Sequence, residues 1–192
     1  MRVDLTKKIQ SSFLSCEKDF EKIIKTLFVD NRQYSDILKR LLVINKADCI
    51  DNLDSEVYKE AVEKASVKWL MENDYLKLTP KDKKFEHDVM KSQIYISFND
   101  FITSGNPQFR DNIIEITIFC PFDHWELGDY RLRPFKIMGY IDGLLQDIRL
   151  TGMGELELIG CKRIVLDENY GGYTMIYNTV HSVEDKIPDE DR

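Results

Sequence analysis

The spacing of the apolar residues changes near the middle of this 192-residue chain, and that change constrains the fold more than any motif does. Before Thr79, large apolar side chains recur every three or four residues; after Gln93 they alternate, with one helical stretch between the alternating segments. A helix returns to one face every 3.6 residues and a strand every two, so the chain reads as helices followed by strands. The break falls at Thr79-Pro-Lys-Asp-Lys-Lys84, a charged stretch opened by proline that reads as a linker.

Two helices follow from Phe20, Ile23, Ile24, Leu27 and Phe28, and from Tyr34, Ile37, Leu38, Leu41 and Leu42. A third is expected from Asp54 as cap, with Leu53 stapled onto Tyr58. Its apolar face runs Val57, Tyr58, Ala61, Val62, Ala65, Trp69 and Leu70, ending before Asn73-Asp74.

In the second half, Ile94, Ile96 and Phe98 alternate with Tyr95, Ser97 and Asn99, a strand buried on one face. A polar loop, Thr103 to Asp111, follows, and then Ile113 to Cys120, apolar on nearly both sides and suited to the middle of a sheet. A long helix comes next, with Asp129 as cap and Pro134 in its first turn. Its buried stripe is Ile137, Ile141, Leu144, Leu145 and Ile148, and Thr151-Gly-Met-Gly154 closes it. Two strands complete the chain, Glu155 to Leu166 with a bulge at Gly160 and Tyr173 to Val180, joined through a turn holding Gly171-Gly172. The expectation is an α+β fold: N-terminal helices, then a β-β-α-β-β sheet with one long helix packed on one face. The regions are a helical 1–84, an α+β domain 85–185 and an acidic tail 186–192.

No catalytic signature accompanies this order. Cys120-Pro-Phe-Asp-His-Trp-Glu126 gathers a thiol, an imidazole and two carboxylates, but lacks the surroundings of any known nucleophile motif. Asp123, Glu126, Asp129 and His181 are a conceivable hard-cation set. Gly152-Met-Gly154 follows a helix, whereas a dinucleotide loop precedes one. Gly139 and Gly143 are expected to let their helix lie close to the sheet. The expectation is a protein that is not an enzyme and needs no cofactor or metal.

Charge narrows the partners. Residues 1–91 carry 18 basic and 17 acidic side chains, and residues 92–192 carry 9 and 17, so the net −7 belongs to the second half. Such a surface repels phosphate and does not grip nucleic acid. The nearest case of basic residues interleaved with aromatics, Tyr130-Arg-Leu-Arg-Pro-Phe-Lys136, puts Arg131 and Arg133 at a helix N-terminus, where cations oppose the dipole. Their acidic partners are expected among Asp123, Glu126 and Asp129, or on a neighbouring subunit. Four scattered cysteines, no apolar run near the roughly 20 residues of a membrane span and no signal-like N-terminus suit a cytoplasm.

The element order and local texture resemble the tail-terminator or tail-completion proteins of tailed bacteriophages. Gln93-Ile-Tyr-Ile-Ser-Phe-Asn-Asp-Phe101, Asn106-Pro107 and Asn112-Ile-Ile-Glu-Ile-Thr-Ile-Phe-Cys-Pro121 are similar to the first hairpin of phage neck proteins. Arg133-Pro134, Gly152-Met-Gly-Glu-Leu156 and Gly172-Tyr-Thr-Met-Ile-Tyr177 are similar to the remainder, so the resemblance spans about residues 92–185. It implies a virion protein made in the host bacterial cytoplasm, a homo-oligomeric ring at the head–tail junction through which DNA passes without being bound. Portal, neck or tail proteins would be its neighbours. Asn106, Pro107, Phe109, Arg110, Arg131 and Arg133 are the expected interface or channel-side residues. The other reading of the residues is a non-catalytic protein-binding or regulatory module.

Overall fold

The computed structural model describes residues 12–78, 90–103, 109–150 and 155–182, with side chains over 16–78, 90–99, 112–150 and 155–179. The fold is α+β. Helix α1 (Ser12–Lys25) runs into one π-helical turn, Thr26–Asp30, which buries Leu27 and Phe28. Helix α2 (Arg32–Val43) buries Leu38, Leu41 and Leu42, as its spacing predicts, and leaves Tyr34 exposed.

The single third helix expected from Asp54 is two helices. The cap of α3 (Glu56–Lys64) is Ser55, whose hydroxyl accepts from the Tyr58 amide, and Ser66 caps α4 (Val67–Glu72) through the Trp69 amide. Each serine offers the chain a local acceptor, and Ala65 between the helices, at ψ 58°, leaves the helical region. Leu53 is 52% exposed and Val57 71%, so neither the staple nor that end of the apolar face is buried. The loop between α2 and α3 is held from below: the buried Arg40 guanidinium donates to the carbonyls of Cys49, Asn52 and Leu53.

Among the described residues the sheet has five strands: β1 (Leu76–Lys77), β2 (Gln93–Thr103), β3 (Phe109–Pro121), β4 (Glu157–Val165) and β5 (Tyr170–Ser182), with α5 (Arg133–Leu145) crossing between β3 and β4. Their order across the sheet is β1-β2-β3-β5-β4. The first is parallel to β2 and too short to show a period; the other pairings are antiparallel. Ile94 faces Ile118, Ile96 faces Ile116 and Phe98 faces Ile114, while β5 brings Tyr177 against Ile114 and Met175 against Ile116. This face meets Ile137, Ile141 and Leu145 of α5, and Tyr177 Oη hydrogen-bonds Asp142 Oδ1 at 3.2 Å. Leu27, Phe28, Leu38 and Leu41 belong to the same hydrophobic core. The described N-terminal helices and the sheet with α5 therefore share one hydrophobic core.

Several boundaries move. Thr103 lies on β2 and pairs with Arg110, so the expected loop from Thr103 to Asp111 is shorter by its ends; Asn106 and Pro107 lie outside the described residues. Asp129 does not cap α5. That cap is Leu132, with no side-chain bond, and Asp129 stands in a preceding turn at φ 47°. The helix stops at Leu145, with Gln146 extended and Asp147 at φ 62°, so Ile148 lies beyond it; Thr151–Gly154 are outside the described residues. The bulge near Gly160 is present, with Ile159 as the extra residue between Leu158 and Gly160.

Gly171 and Gly172 are not in the hairpin turn but inside β5. The turn is instead closed by Asp167, whose carboxylate accepts from the Asn169 and Tyr170 amides at 2.7 and 2.9 Å. The two glycines serve close approach: a Cβ on Gly172 would overlap the Ile118 carbonyl, and one on Gly171 would lie 2.6 Å from the Phe122 ring.

Candidate functional site

The residues singled out for chemistry or assembly converge on the segment from Cys120 to Arg133. Its path is set by aromatic contacts and main-chain bonds. Pro121 ends β3 and a 3-10 turn, Phe122–His124, follows. The Phe122 amide donates to Asn169 O at 2.8 Å and the Trp125 indole to Cys120 O at 3.1 Å. Phe122, Trp125, Tyr173 and Phe135 form a chain of ring contacts over the end of the sheet.

The polypeptide then makes a miniature hairpin. Glu126 bridges Leu132, the Leu127 amide donates to Arg131 O, and the Arg131 amide donates to Gly128 O. Gly128, Asp129 and Tyr130 all have positive φ, at 76°, 47° and 62°. Left-handed backbone at two consecutive non-glycine residues persists only where the surroundings over-determine it. Arg131 does so, donating to Gly128 O and Leu127 O and forking onto Asp51 at 2.7 and 2.6 Å, with Asp129 at 3.5 Å. The Arg131 bonds hold the Asp51 carboxyl below its usual range. Tyr130, at the tip, is fully exposed.

Arg133, expected at an interface or channel, has no surface to offer: it is the largest fully buried side chain. Its guanidinium donates to Leu41 O at 2.6 Å, Ile44 O at 2.8 Å, Lys46 O at 2.9 Å and His124 O at 2.8 Å. Leu41 lies in the last turn of α2 and Ile44 is its C-cap, where carbonyls lack partners within the helix and the dipole is negative. The cation that opposes the N-terminus of α5 therefore serves the C-terminus of α2. Arg131 meets one of the expected carboxylates, Asp129, but its main partner is Asp51, in the loop between α2 and α3. Phe109 and Arg110 open β3, where Arg110 pairs with Thr103 and His181.

The geometry does not activate the thiol. Cys120 is fully buried, and burial pushes it up to about 11, so it stays protonated at neutral pH. The His124 ring is held below its ordinary range by burial and by the Arg133 charge; its Nδ1 is buried without a hydrogen-bond partner, and none joins it to Cys120. Asp123 lies in the 3-10 turn, Glu126 in the bridge and Asp129 beside Arg131; among the described residues no three His, Cys, Asp or Glu side chains converge on a metal-sized site. The reactive thiol is elsewhere, because Cys16 and Cys49 are also buried while Cys161 is exposed. In native protein one thiol per chain, Cys161, is expected to react quickly with Ellman's reagent, and C161S should abolish that phase. C120S should leave it unchanged; a fast phase lost in C120S would make Cys120 a live nucleophile.

The buried arginine left a trace in the sequence: a cation beside a proline at a helix start needs acceptors that its own helix does not provide. Nothing in the spacing named α2 as their source. No helix among the described residues is long and apolar enough to cross a membrane. A search of curated proteins gave no match. The YomW family model matches residues 35–179, from α2 through nearly all of β5, and the chain accordingly belongs to the YomW family, which derives from Bacillus phages.

Proposed function

We propose that this protein is a structural component of the phage head–tail junction, of the tail-terminator or tail-completion type, acting by assembly and without catalysis or cofactor. The supporting observation is the order β2-β3-α5-β4-β5, with α5 on one face of the sheet, in a chain of phage-derived family. In this reading copies close into a ring around the DNA exit channel, and the acidic second half keeps phosphate from adhering to it. A ring joins one patch to a different patch on the next copy. The β2–β3 connection with Asn106, Pro107, Phe109 and Arg110 forms one side of that joint, together with Arg131 at the base of the Tyr130 turn; Arg133 belongs to the subunit's own fold.

Negative-stain electron microscopy of the concentrated protein, with light scattering for mass, tests the reading. Closed rings with a channel of about 20 Å or more, wide enough for a duplex with grooves like those of B-DNA, are expected, as are peptides of this chain in purified phage particles. A monomer found in infected cells and never in particles would replace the reading with that of a protein-binding module.

A further inference from the structure

The least covered part of the sheet is β4. It is an edge strand of nine residues, paired among the described residues only with β5, and every one of its residues except Gly160 and Ile164 is exposed. Leu158, Ile159 and Val165 of this strand, and Leu166 after it, are large apolar side chains left in solvent. A long apolar edge presents a row of free main-chain donors and acceptors, and folded proteins cover or blunt such an edge. This edge is blunted only by the bulge at Ile159, at one end. The other edge of the sheet is different, because β1 already covers the start of β2.

The charges on β4 identify what fits it. Lys162 stands opposite Thr174 and Arg163 opposite Tyr173, so this doublet presents one cation to each face of the sheet. Neither makes an ion pair with a described residue, although both are exposed. Antiparallel pairing of β4 with itself over the regular stretch would set cations against cations, which is unfavourable. The complement is an extended segment with consecutive carboxylates, one for each face, and an apolar residue on either side.

We propose that the segment 183–192 of a neighbouring copy, Val-Glu-Asp-Lys-Ile-Pro-Asp-Glu-Asp-Arg, adds to the edge of β4. It carries one doublet, Glu184-Asp185, and one triplet, Asp189-Glu190-Asp191; the doublet can set one carboxylate on each face against Lys162-Arg163, with Val183 just before it and Ile187 two residues after it. Main-chain bonds supply the affinity and the charges set the register. Pro188 is tolerated in an added edge strand, where its missing amide points to solvent. Ten extended residues reach about 33 Å, enough to cross from one subunit to the next. Tail and edge are different patches, so each copy gives one and receives one; this deepens the ring reading and rests on it.

The test uses the full chain and its exposed Cys161. Cysteines placed one at a time along the tail (V183C, E184C, D185C, K186C and I187C) are oxidised mildly, and the products are separated without reductant. Covalent multimers through Cys161, strongest at alternate positions, are expected, with at least a tenfold loss in K162E/R163E. Restoration of the multimers by the tail reversal E184K/D185K in that background, with the reporter cysteine at Val183 or Ile187, would mark the charges as the recognition element. Intrachain bonds alone, no bond at any position, or bonds indifferent to K162E/R163E would overturn the proposal. Rings seen by microscopy without these bonds would overturn the joint and leave the neck reading standing; bonded open chains that never enter particles would do the reverse.

Discussion

Replacing Arg133 with alanine is expected to destabilise the protein by about 3–5 kcal/mol, the cost of breaking a buried, fully bonded charge. Four carbonyls accept from this one side chain: Leu41, Ile44 and Lys46 at and just past the end of α2, and His124 in the turn before α5. Lys46 O also accepts from the Cys49 amide and lies on an exposed residue, but removing Arg133 takes the side-chain donor from the buried Leu41 and Ile44 carbonyls and opens a cavity among Leu41, Ile44 and Cys49, all buried. A domain of this kind has about 5–15 kcal/mol in total, so R133A should lose about 10 °C or more in thermal midpoint, or fail to fold at 37 °C. R133K tests the geometry. It keeps the charge, but a single ammonium cannot reach acceptors spread around a planar guanidinium, so it should fall between wild type and R133A. Urea unfolding of all three checks the order. R133A as stable as wild type would mean that water replaces the guanidinium at these carbonyls and that α2 does not need α5 for its C-terminus.

This arginine also marks the boundary of what the sequence made legible. Helices α1, α2 and α5, strands β2 to β5 and the inward pair Ile94 and Ile96 follow from apolar spacing, because burial of one face is a local pattern; β3 reads as apolar on nearly both sides, and its buried set Ile114, Ile116 and Ile118 is fixed by pairing with β2 and β5. The two serines that divide α3 from α4 were present as residues, yet a continuous apolar stripe ran across them, and side-chain capping won over periodicity at Ala65. The short β1 has no period to read; its place is set by pairing with Ile94 and Tyr95. For the site, a cation beside Asp129 was readable from neighbours in sequence. The Arg131–Asp51 fork and the Arg133 carbonyl cluster were not, since all their partners but the His124 carbonyl lie 80 or more residues away. Position in space, set by the common core, decides which charge meets which acceptor.

Gly172→Ala is expected to be among the most damaging single-methyl changes in the molecule. The position is inside β5, between Ile118–Phe119 of β3 and Ile164 of β4, and the added Cβ would overlap the carbonyl of Ile118. The obstacle is main chain in the middle of a sheet, which no rotamer change relieves, so β3 and β5 must separate locally and give up ladder bonds. Overpacking of well-packed cores costs about 1–3 kcal/mol where side chains absorb it, and a backbone clash should lie at or above the top of that range. Gly171→Ala meets the edge of the Phe122 ring and should cost less, because that ring can tilt away from β5. Gly160→Ala meets nothing within 4 Å and is the internal control: by restricting the unfolded chain it should change stability by less than about 1 kcal/mol, in the stabilising direction. The expected ranking in urea is therefore Gly160→Ala, wild type, Gly171→Ala, Gly172→Ala, from most to least stable. Had the pair formed the hairpin turn that its composition suggests, both substitutions would act through left-handed backbone strain and damage the protein about equally. A clear separation between Gly171→Ala and Gly172→Ala thus identifies close strand approach as the reason for glycine here, and an equal loss would return these residues to a turn.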